Sequence, residues 1–191
     1  LANVAATIYM GLLVDTPLAD FLRVMTINAA GPFLGIKTLA PFMTAGGQGS
    51  IINYSSLGVF NGMPNISAYL ASKQAVRGLT HAACLELGPS GVRVNTVCGP
   101  GGNPQFTQDA PKSPAMTERM AALTRSLEQA EKTAKHFEAM AAPPPSDEGA
   151  SWAERSVPTM VFLASDQSLG YNGADFLLDG GSSIGTTEFP V

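Results

Sequence analysis

The chain has 191 residues, 45% of them hydrophobic and 14% charged, which is typical of one globular domain and excludes a disordered chain. Its net charge of -4 provides no basic surface, so we exclude a nucleic-acid partner. The two cysteines and two histidines have no metal-ligand spacing, so we expect reduced thiols in a cytoplasmic protein and no metal site. No apolar run is long enough to span a bilayer, so we expect no membrane partner.

A short apolar strand and a long helix come first along the chain. The run LANVAA at 1–6 is typical of a buried parallel strand. Apolar residues then recur at three and four positions, which predicts one helix over 17–43. Pro32 lies inside this helix and is expected to bend it or to open a hydrogen bond.

Two longer strands enclose a second helix. SIINYSS at 50–56 predicts a strand, and a loop rich in Gly, Pro and Asn follows at 57–65. A helix is predicted over 67–88, where a Gly-Pro pair stops it, and VRVNTVC at 92–98 predicts the next strand.

The last third of the chain contains a third helix and a final strand. Ser113 is a plausible N-cap for a helix over 114–141. A short helix ends in the segment 156–165, and a strand is predicted at 174–181. We interpret 102–156 as a substrate lobe or lid, and plain packing against the domain is the alternative.

Strands that alternate with long helices predict an α/β fold with a mostly parallel sheet covered on both faces. Nothing in the sequence indicates a repeat or a second domain, so we treat 1–191 as a single domain. Open parallel sheets bind ligands at the carboxyl ends of their strands, so chemistry is expected from side chains at those ends.

Ser56, Tyr69 and Lys73 are the candidate reactive residues at such an end. Ser56 closes the strand 50–56, and the following helix carries Tyr69 and Lys73 one helical turn apart. A phenol has a pKa near 10, and a neighbouring ammonium favours the phenolate and lowers that pKa. The spacing therefore predicts an acid/base pair.

These residues resemble the Ser…Tyr-x-x-x-Lys signature of the classical short-chain dehydrogenase/reductase family. Tyr69 follows Ser56 by thirteen residues and precedes Lys73 by four. The flanking segments GSIINYSSLG, AYLASKQAVRGLT and TINAAGPFLGIKTLAPFM are similar to the family, and the last of them places Asn28 where the family has a fourth catalytic residue. The resemblance implies the C-terminal part of a Rossmann-like, doubly wound parallel sheet.

The resemblance also implies an activity and a role for each residue. It implies NAD(P)-dependent oxidation of a secondary alcohol or reduction of a carbonyl, with Tyr69 as the acid/base. Lys73 would also hold the nicotinamide ribose, Ser56 would bind the substrate oxygen, and Asn28 would support a water that relays the proton.

The cofactor side of the pattern is incomplete. A nicotinamide enzyme of this fold needs a Gly-rich turn between its first strand and helix, whereas GGQG at 46–49 precedes a strand. If Leu1 begins the fourth strand, we expect about 80 residues of N-terminal strand–helix units to be missing. Asn3, Pro100 and Gly101 match remaining cofactor-pocket positions of the family, and the choice between NAD and NADP stays open.

Two other functions remain as alternatives. The chain could be a truncated or degenerate relative without activity that acts as an oligomerising or binding module. An epimerase or dehydratase of the extended branch shares Tyr-x-x-x-Lys, but the ending ADFLLDGG argues against it.

The expected partners are a small-molecule alcohol or carbonyl substrate and further copies of the chain. The apolar loop residues Val59, Phe60 and Met63 favour an apolar or cyclic substrate. By resemblance, a homodimer or homotetramer would form through helices 17–43 and 67–88.

Overall fold

The computed structural model describes residues 1–99, 109–125 and 152–181. Its four strands form one parallel sheet in the order β1-β2-β3-β4. The strands are β1 (Ala2–Asn3), β2 (Gly49–Ser56), β3 (Val92–Gly99) and β4 (Asp175–Leu177). The predicted α/β class with a parallel sheet is therefore confirmed.

Within the described ranges, six α-helices connect and cover these strands. They are α1 (Leu18–Met25), α2 (Gly31–Ala45), α3 (Gly58–Asn61), α4 (Ser67–Leu87), α5 (Pro114–Arg125) and α6 (Trp152–Ala164). None of the helices in the described ranges is long and apolar enough to cross a membrane.

The bounds predicted for the central elements are confirmed. Helix α4 covers the predicted 67–88 to within one residue, and β2 and β3 each extend the predicted strand by one residue. Helix α5 begins at the predicted position, because the Met116 N–H donates to Ser113 Oγ at 3.2 Å and so caps it. The rest of the predicted helix 114–141 lies outside the described residues, as does most of the lobe 102–156.

The helix predicted over 17–43 is confirmed as one helical run over 18–45, and a π turn interrupts its α-helical hydrogen bonding. Helix α1 ends at Met25, a π-helical turn spans Thr26–Ala30, and α2 begins at Gly31, whose N–H donates to the Thr26 carbonyl. Pro32 accounts for this break, because it has no N–H to donate to the Asn28 carbonyl four residues earlier. The π turn places Asn28 in the interior, where 1% of its surface is exposed.

Two shorter elements also differ from the sequence prediction. Strand β1 pairs with β2 only through Ala2 and Asn3, and Val4 is already half exposed, so the apolar run 1–6 is mostly loop. The predicted loop 57–65 contains helix α3, which is too short to leave a helical periodicity in the sequence.

The sheet buries a different apolar cluster on each face. One cluster joins β2 and β3 to α2 and α4, and comprises Ile36, Ala40, Ile51, Ala83, Cys84, Val92 and Val94. The other joins them to α6, and comprises Ile52, Val97 and Leu163. The register of β2 and β3 pairs Ser55 with Cys98 and Ser56 with Gly99, so both strands end at the same edge of the sheet.

Arg93 attaches β3 to the end of α6. Its guanidinium is buried and donates to the carbonyls of Leu163 and Ser165, each at 3.1 Å, and to Ser168 Oγ at 2.8 Å. Carbonyls at a helix C-terminus lack helical donors and carry partial negative charge, so a cation is stabilised there.

Replacing this guanidinium tests the attachment. We expect Arg93→Met to lower the free energy of unfolding by about 2–4 kcal/mol, since it removes three charged hydrogen bonds from a buried position. Urea denaturation measures the loss. The control Arg119→Met, at an exposed position of α5, should change it by less than about 0.5 kcal/mol. Equal effects for the two variants would contradict the role of Arg93.

Candidate active site

Helix α4 presents Tyr69 and Lys73 to the carboxyl ends of β2 and β3. The helix is rich in alanine, which favours helix formation, and its first two turns carry both residues. Tyr69 is 8% exposed and Lys73 is 2% exposed. The Ser55 hydroxyl donates to the Lys73 carbonyl at 3.0 Å and so attaches this part of the helix to β2.

Ser56 and Tyr69 are in direct contact. Their side chains share a hydrogen bond, which favours the phenolate and by itself lowers the Tyr69 pKa. Ser56 is buried, and its Oγ also accepts a hydrogen bond from the Gly58 N–H at 3.2 Å, at the start of α3. The structure therefore brings together the two hydroxyl groups that the sequence predicted to act on one substrate oxygen.

Lys73 lies beside the Tyr69 ring and donates to the backbone. Its Nζ is 5.7 Å from the Tyr69 ring centroid and 2.7 Å from the Tyr54 carbonyl, to which it donates. Burial lowers the Lys73 pKa to about 8, and the nearby Cys98 raises it by a smaller amount. The cation is thus held by β2 at the same end as the hydroxyl pair.

The expected direction of the Tyr69 pKa shift is wrong for this structure. Burial raises the Tyr69 pKa to about 12 because it penalises the phenolate, and the hydrogen bond from Ser56 opposes this only in part. The Lys73 ammonium does not reverse the shift, since it is directed at the Tyr54 carbonyl and is itself desolvated. Tyr69 therefore holds its proton at neutral pH.

Asn28 uses its side chain to hold the fold around Tyr69. Its Oδ1 accepts from the Thr7 N–H at 2.7 Å, and its Nδ2 donates to the Thr7 carbonyl at 2.8 Å and to Ser72 Oγ at 2.9 Å. Ser72 Oγ in turn donates to the Tyr69 carbonyl at 2.6 Å. Asn28 therefore links the loop after β1 to the turn of α4 that carries Tyr69, and its role toward water stays a prediction.

Asn3 is directed into the fold. Its Nδ2 donates to Asn53 Oδ1 at 2.8 Å, and Asn53 Nδ2 donates to Thr80 Oγ at 2.8 Å. Its Oδ1 faces Gly35 of α2, where a Cβ atom would lie only 2.8 Å away. A cofactor role for Asn3 stays a prediction, and Pro100 and Gly101 lie outside the described residues.

Tyr54 and Ser72 contribute to the site and were not predicted. Tyr54 acts through its backbone carbonyl, which any residue could supply, so no sequence signal identifies it. Ser72 follows Tyr69 by three residues, a spacing at which a hydroxyl can reach a helix carbonyl, and this signal was available. Over the described residues, no group of three or more His, Cys, Asp or Glu side chains could hold a metal ion.

Comparisons with known proteins find relatives over most of the chain. A family model described as enoyl-(acyl carrier protein) reductase matches residues 1–183. The chain is 34% identical over 185 residues to a 3-alpha-(or 20-beta)-hydroxysteroid dehydrogenase of Mycobacterium tuberculosis, covering 97% of this chain and 60% of the relative. It is also 34% identical to a trans-4-hydroxycyclohexanecarboxylate dehydrogenase of Sinomonas cyclohexanicum, with the same coverage.

Solved structures share the fold. An NAD+-bound xylitol dehydrogenase superposes with a TM-score of 0.73 at 28% identity, covering 94% of this chain and 67% of that one. A putative NAD(P)-dependent gluconate 5-dehydrogenase from Beutenbergia cavernae, with NADP bound at low occupancy, gives 0.73 at 29% identity, covering 94% and 64%.

The chain spans about 60% of the length of the first curated relatives it matches. Within that span it has the family's parallel sheet, and the serine, tyrosine and lysine of the signature meet at the carboxyl ends of the strands. On these grounds the chain belongs to the short-chain dehydrogenase/reductase family.

Proposed function

We propose that this chain is the proton-handling part of an NAD(P)-dependent oxidoreductase that oxidises a secondary alcohol or reduces a carbonyl. The observation that carries the proposal is the buried hydroxyl pair of Ser56 and Tyr69, with Lys73 one turn further along α4. Two hydroxyl groups at one point can bind one substrate oxygen, and a phenol can exchange a proton with it.

In carbonyl reduction the protonated phenol is the required form. A substrate oxygen placed at the hydroxyl pair accepts hydrogen bonds from Ser56 and Tyr69, which stabilise the charge that develops on it. Tyr69 then donates its proton to that oxygen, and its raised pKa keeps the proton available at neutral pH. The nicotinamide supplies or accepts the hydride when it is bound.

In alcohol oxidation Tyr69 acts as the base, so its phenolate must be stabilised. An ammonium carries three donors, and among the described residues only the Tyr54 carbonyl accepts from Lys73. Movement of Nζ by a small rotation towards the phenol oxygen would lower the Tyr69 pKa, because an opposite charge at short range favours the phenolate.

The described residues fit the nicotinamide end of the cofactor. Lys73 and Tyr69 lie at the carboxyl edge of the sheet, and the donors of Lys73 suit ribose hydroxyls. The Gly-rich stretch 46–49 lies between α2 and β2, at the amino end of that strand, so it does not fit a pyrophosphate. NAD and NADP both remain candidates, since the solved relatives include one with each.

We assign the relay water to the backbone carbonyl of Asn28 and not to its side chain. The side-chain amide of Asn28 is already hydrogen-bonded to Thr7 and Ser72. The backbone carbonyl receives no hydrogen bond from Pro32, because proline has no N–H. A water bound at this carbonyl would carry a proton away from Lys73.

An apolar or cyclic substrate suits the surroundings of Tyr69. Its ring packs in a buried cluster with Ile8, Tyr9, Val24, Ile66, Ala68 and Ala110. Phe60 and Met63, after Ser56, are exposed and can contact a ligand. The named substrates of the relatives include a steroid and a cyclohexane ring, which supports a cyclic secondary alcohol.

We also propose that copies of the chain pair through α1, α2 and α4. These helices expose the large apolar side chains of Leu18, Leu22, Phe42 and Leu85. Light scattering of the purified protein should give a dimer or tetramer, and a monomer at micromolar concentration would contradict the pairing.

Replacement of Tyr69 by phenylalanine tests the acid/base role. In the full-length protein with NAD or NADP and a cyclic secondary alcohol, we expect Tyr69→Phe to lower kcat by about 10³-fold, because the exchanged proton is lost while the ring remains. The control is Tyr171→Phe, at an exposed tyrosine of an aromatic cluster, which should keep kcat within about twofold. Retained turnover in Tyr69→Phe would exclude Tyr69 as the acid/base.

The burial of Lys73 predicts a pH-dependent stability. Since burial lowers the Lys73 pKa from 10.5 to about 8, the unfolded chain binds a proton between these pH values that the folded chain does not. The contribution of Lys73 to the free energy of unfolding is therefore constant below pH 8 and increases as the pH rises towards 10.5.

Urea denaturation of the wild type and of Lys73→Met measures this dependence. We expect the free energy of unfolding of the wild type to rise, relative to that of Lys73→Met, by on the order of 2 kcal/mol between about pH 7.5 and 10.5. Tyr69 and Cys98 titrate in both proteins, so their contributions largely cancel in the difference. A difference that is independent of pH would contradict the buried, easily deprotonated Lys73.

A further inference from the structure

Helix α3, which begins two residues after Ser56, is attached along α4 by three successive contacts. A Cβ atom on Gly58 would lie 2.8 Å from Leu70 Cδ2, so α3 packs closely on that side chain. In the second contact, Gln74 Nε2 donates a hydrogen bond to the Val59 carbonyl at 2.8 Å. In the third, the Arg77 guanidinium lies 4.5 Å from the centroid of the Phe60 ring.

Arg77 is the fixed point of these contacts, because β4 holds its guanidinium. Its Nε and Nη2 donate to Asp175 Oδ2 at 3.0 and 2.6 Å, and the two side chains are 21% and 14% exposed. The third nitrogen, Nη1, donates to Gln74 Oε1 at 3.1 Å and so orients the amide that binds Val59. Through Arg77, Asp175 therefore supports two contacts between α4 and α3, that of Arg77 with Phe60 and that of Gln74 with Val59.

The position of α3 sets the direction of the Ser56 hydroxyl. The Gly58 N–H at the start of α3 donates to Ser56 Oγ, and the same hydroxyl bonds the Tyr69 side chain. A shift of α3 away from α4 would move the Gly58 N–H and leave Ser56 free to turn from Tyr69. Small displacements of such a donor have large effects on rate.

We propose that Arg77, anchored by Asp175, is a positioning residue that holds α3 against α4 so that the Ser56 hydroxyl stays directed at Tyr69. Tyr69, Lys73 and Arg77 follow one another at four-residue intervals, so one face of α4 carries both the reacting groups and their support. The predicted effect on turnover rests on the proposed function, whereas the coupling between Arg77 and α3 does not.

The coupling is tested by amide hydrogen exchange on the full chain. In Arg77→Leu we expect exchange of the amides in 58–62 to accelerate at least tenfold, because α3 loses the guanidinium beside Phe60 and Gln74 loses the hydrogen bond that orients it towards Val59. The matched control is Val76→Ala, which removes buried methyl groups from the same turn of α4 and should leave those amides within about twofold of the wild type. Equal exchange of α3 in the wild type and Arg77→Leu would overturn the proposal.

The positioning role is tested by steady-state kinetics on the same variants with NAD or NADP and a cyclic secondary alcohol. We expect Arg77→Leu to lower kcat about tenfold with KM nearly unchanged, since the Ser56 hydrogen bond matters most in the transition state. Gln74→Leu, at an exposed position, should also accelerate exchange of 58–62 and lower kcat, each by less than Arg77→Leu does. It is used in place of Arg77→Leu if that variant does not fold. Faster exchange of α3 with an unchanged kcat would overturn the role.

A wild-type protein without turnover would overturn the proposed function alone. In that case the exchange rates of Arg77→Leu, Gln74→Leu and Val76→Ala still decide whether Arg77 holds α3.

Discussion

The site depends on the burial of a cation at the junction of α4 with β2. Removing an ammonium from water is costly unless it is hydrogen-bonded, and the Tyr54 carbonyl provides that bond to Lys73. The bond holds α4 over the strand ends, where Tyr69, one turn earlier, shares a hydrogen bond with the hydroxyl of Ser56 at the end of β2. The same burial keeps Tyr69 protonated and makes Lys73 easier to deprotonate.

Much of this arrangement could be predicted from the sequence, because it depends on features that extend over many residues. The bounds of α4, β2 and β3 follow from periodicity and from the Gly-Pro stop, and the spacing of Ser56, Tyr69 and Lys73 predicts their meeting. The rest depends on contacts between distant segments. Pro32 indicates that the helix is interrupted but does not specify a π turn. Helix α3 has only four residues and so leaves no periodic pattern in the sequence. The direction of the Tyr69 pKa shift follows from desolvation, which arises only in the folded chain.

Two separate supports hold the reacting groups. Asn28 ties the loop after β1 to the backbone of Tyr69, whereas the contacts from Arg77 bear on Ser56 through α3. Each support uses a side chain that is itself fixed by a third segment of the chain. The proton-handling groups are thus preorganised within the described residues, although the chain spans about 60% of the length of its first curated relatives.

Burial, opposed only in part by the hydrogen bond with Ser56, governs the ionisation of Tyr69. The most direct measurement is a pH titration of the chain labelled with 13C at the tyrosine Cζ, followed by nuclear magnetic resonance, with Tyr69→Phe to assign the signal. We expect Tyr69 to titrate with a pKa of about 12. A Tyr69 pKa near 10, as in a phenol exposed to water, would contradict it.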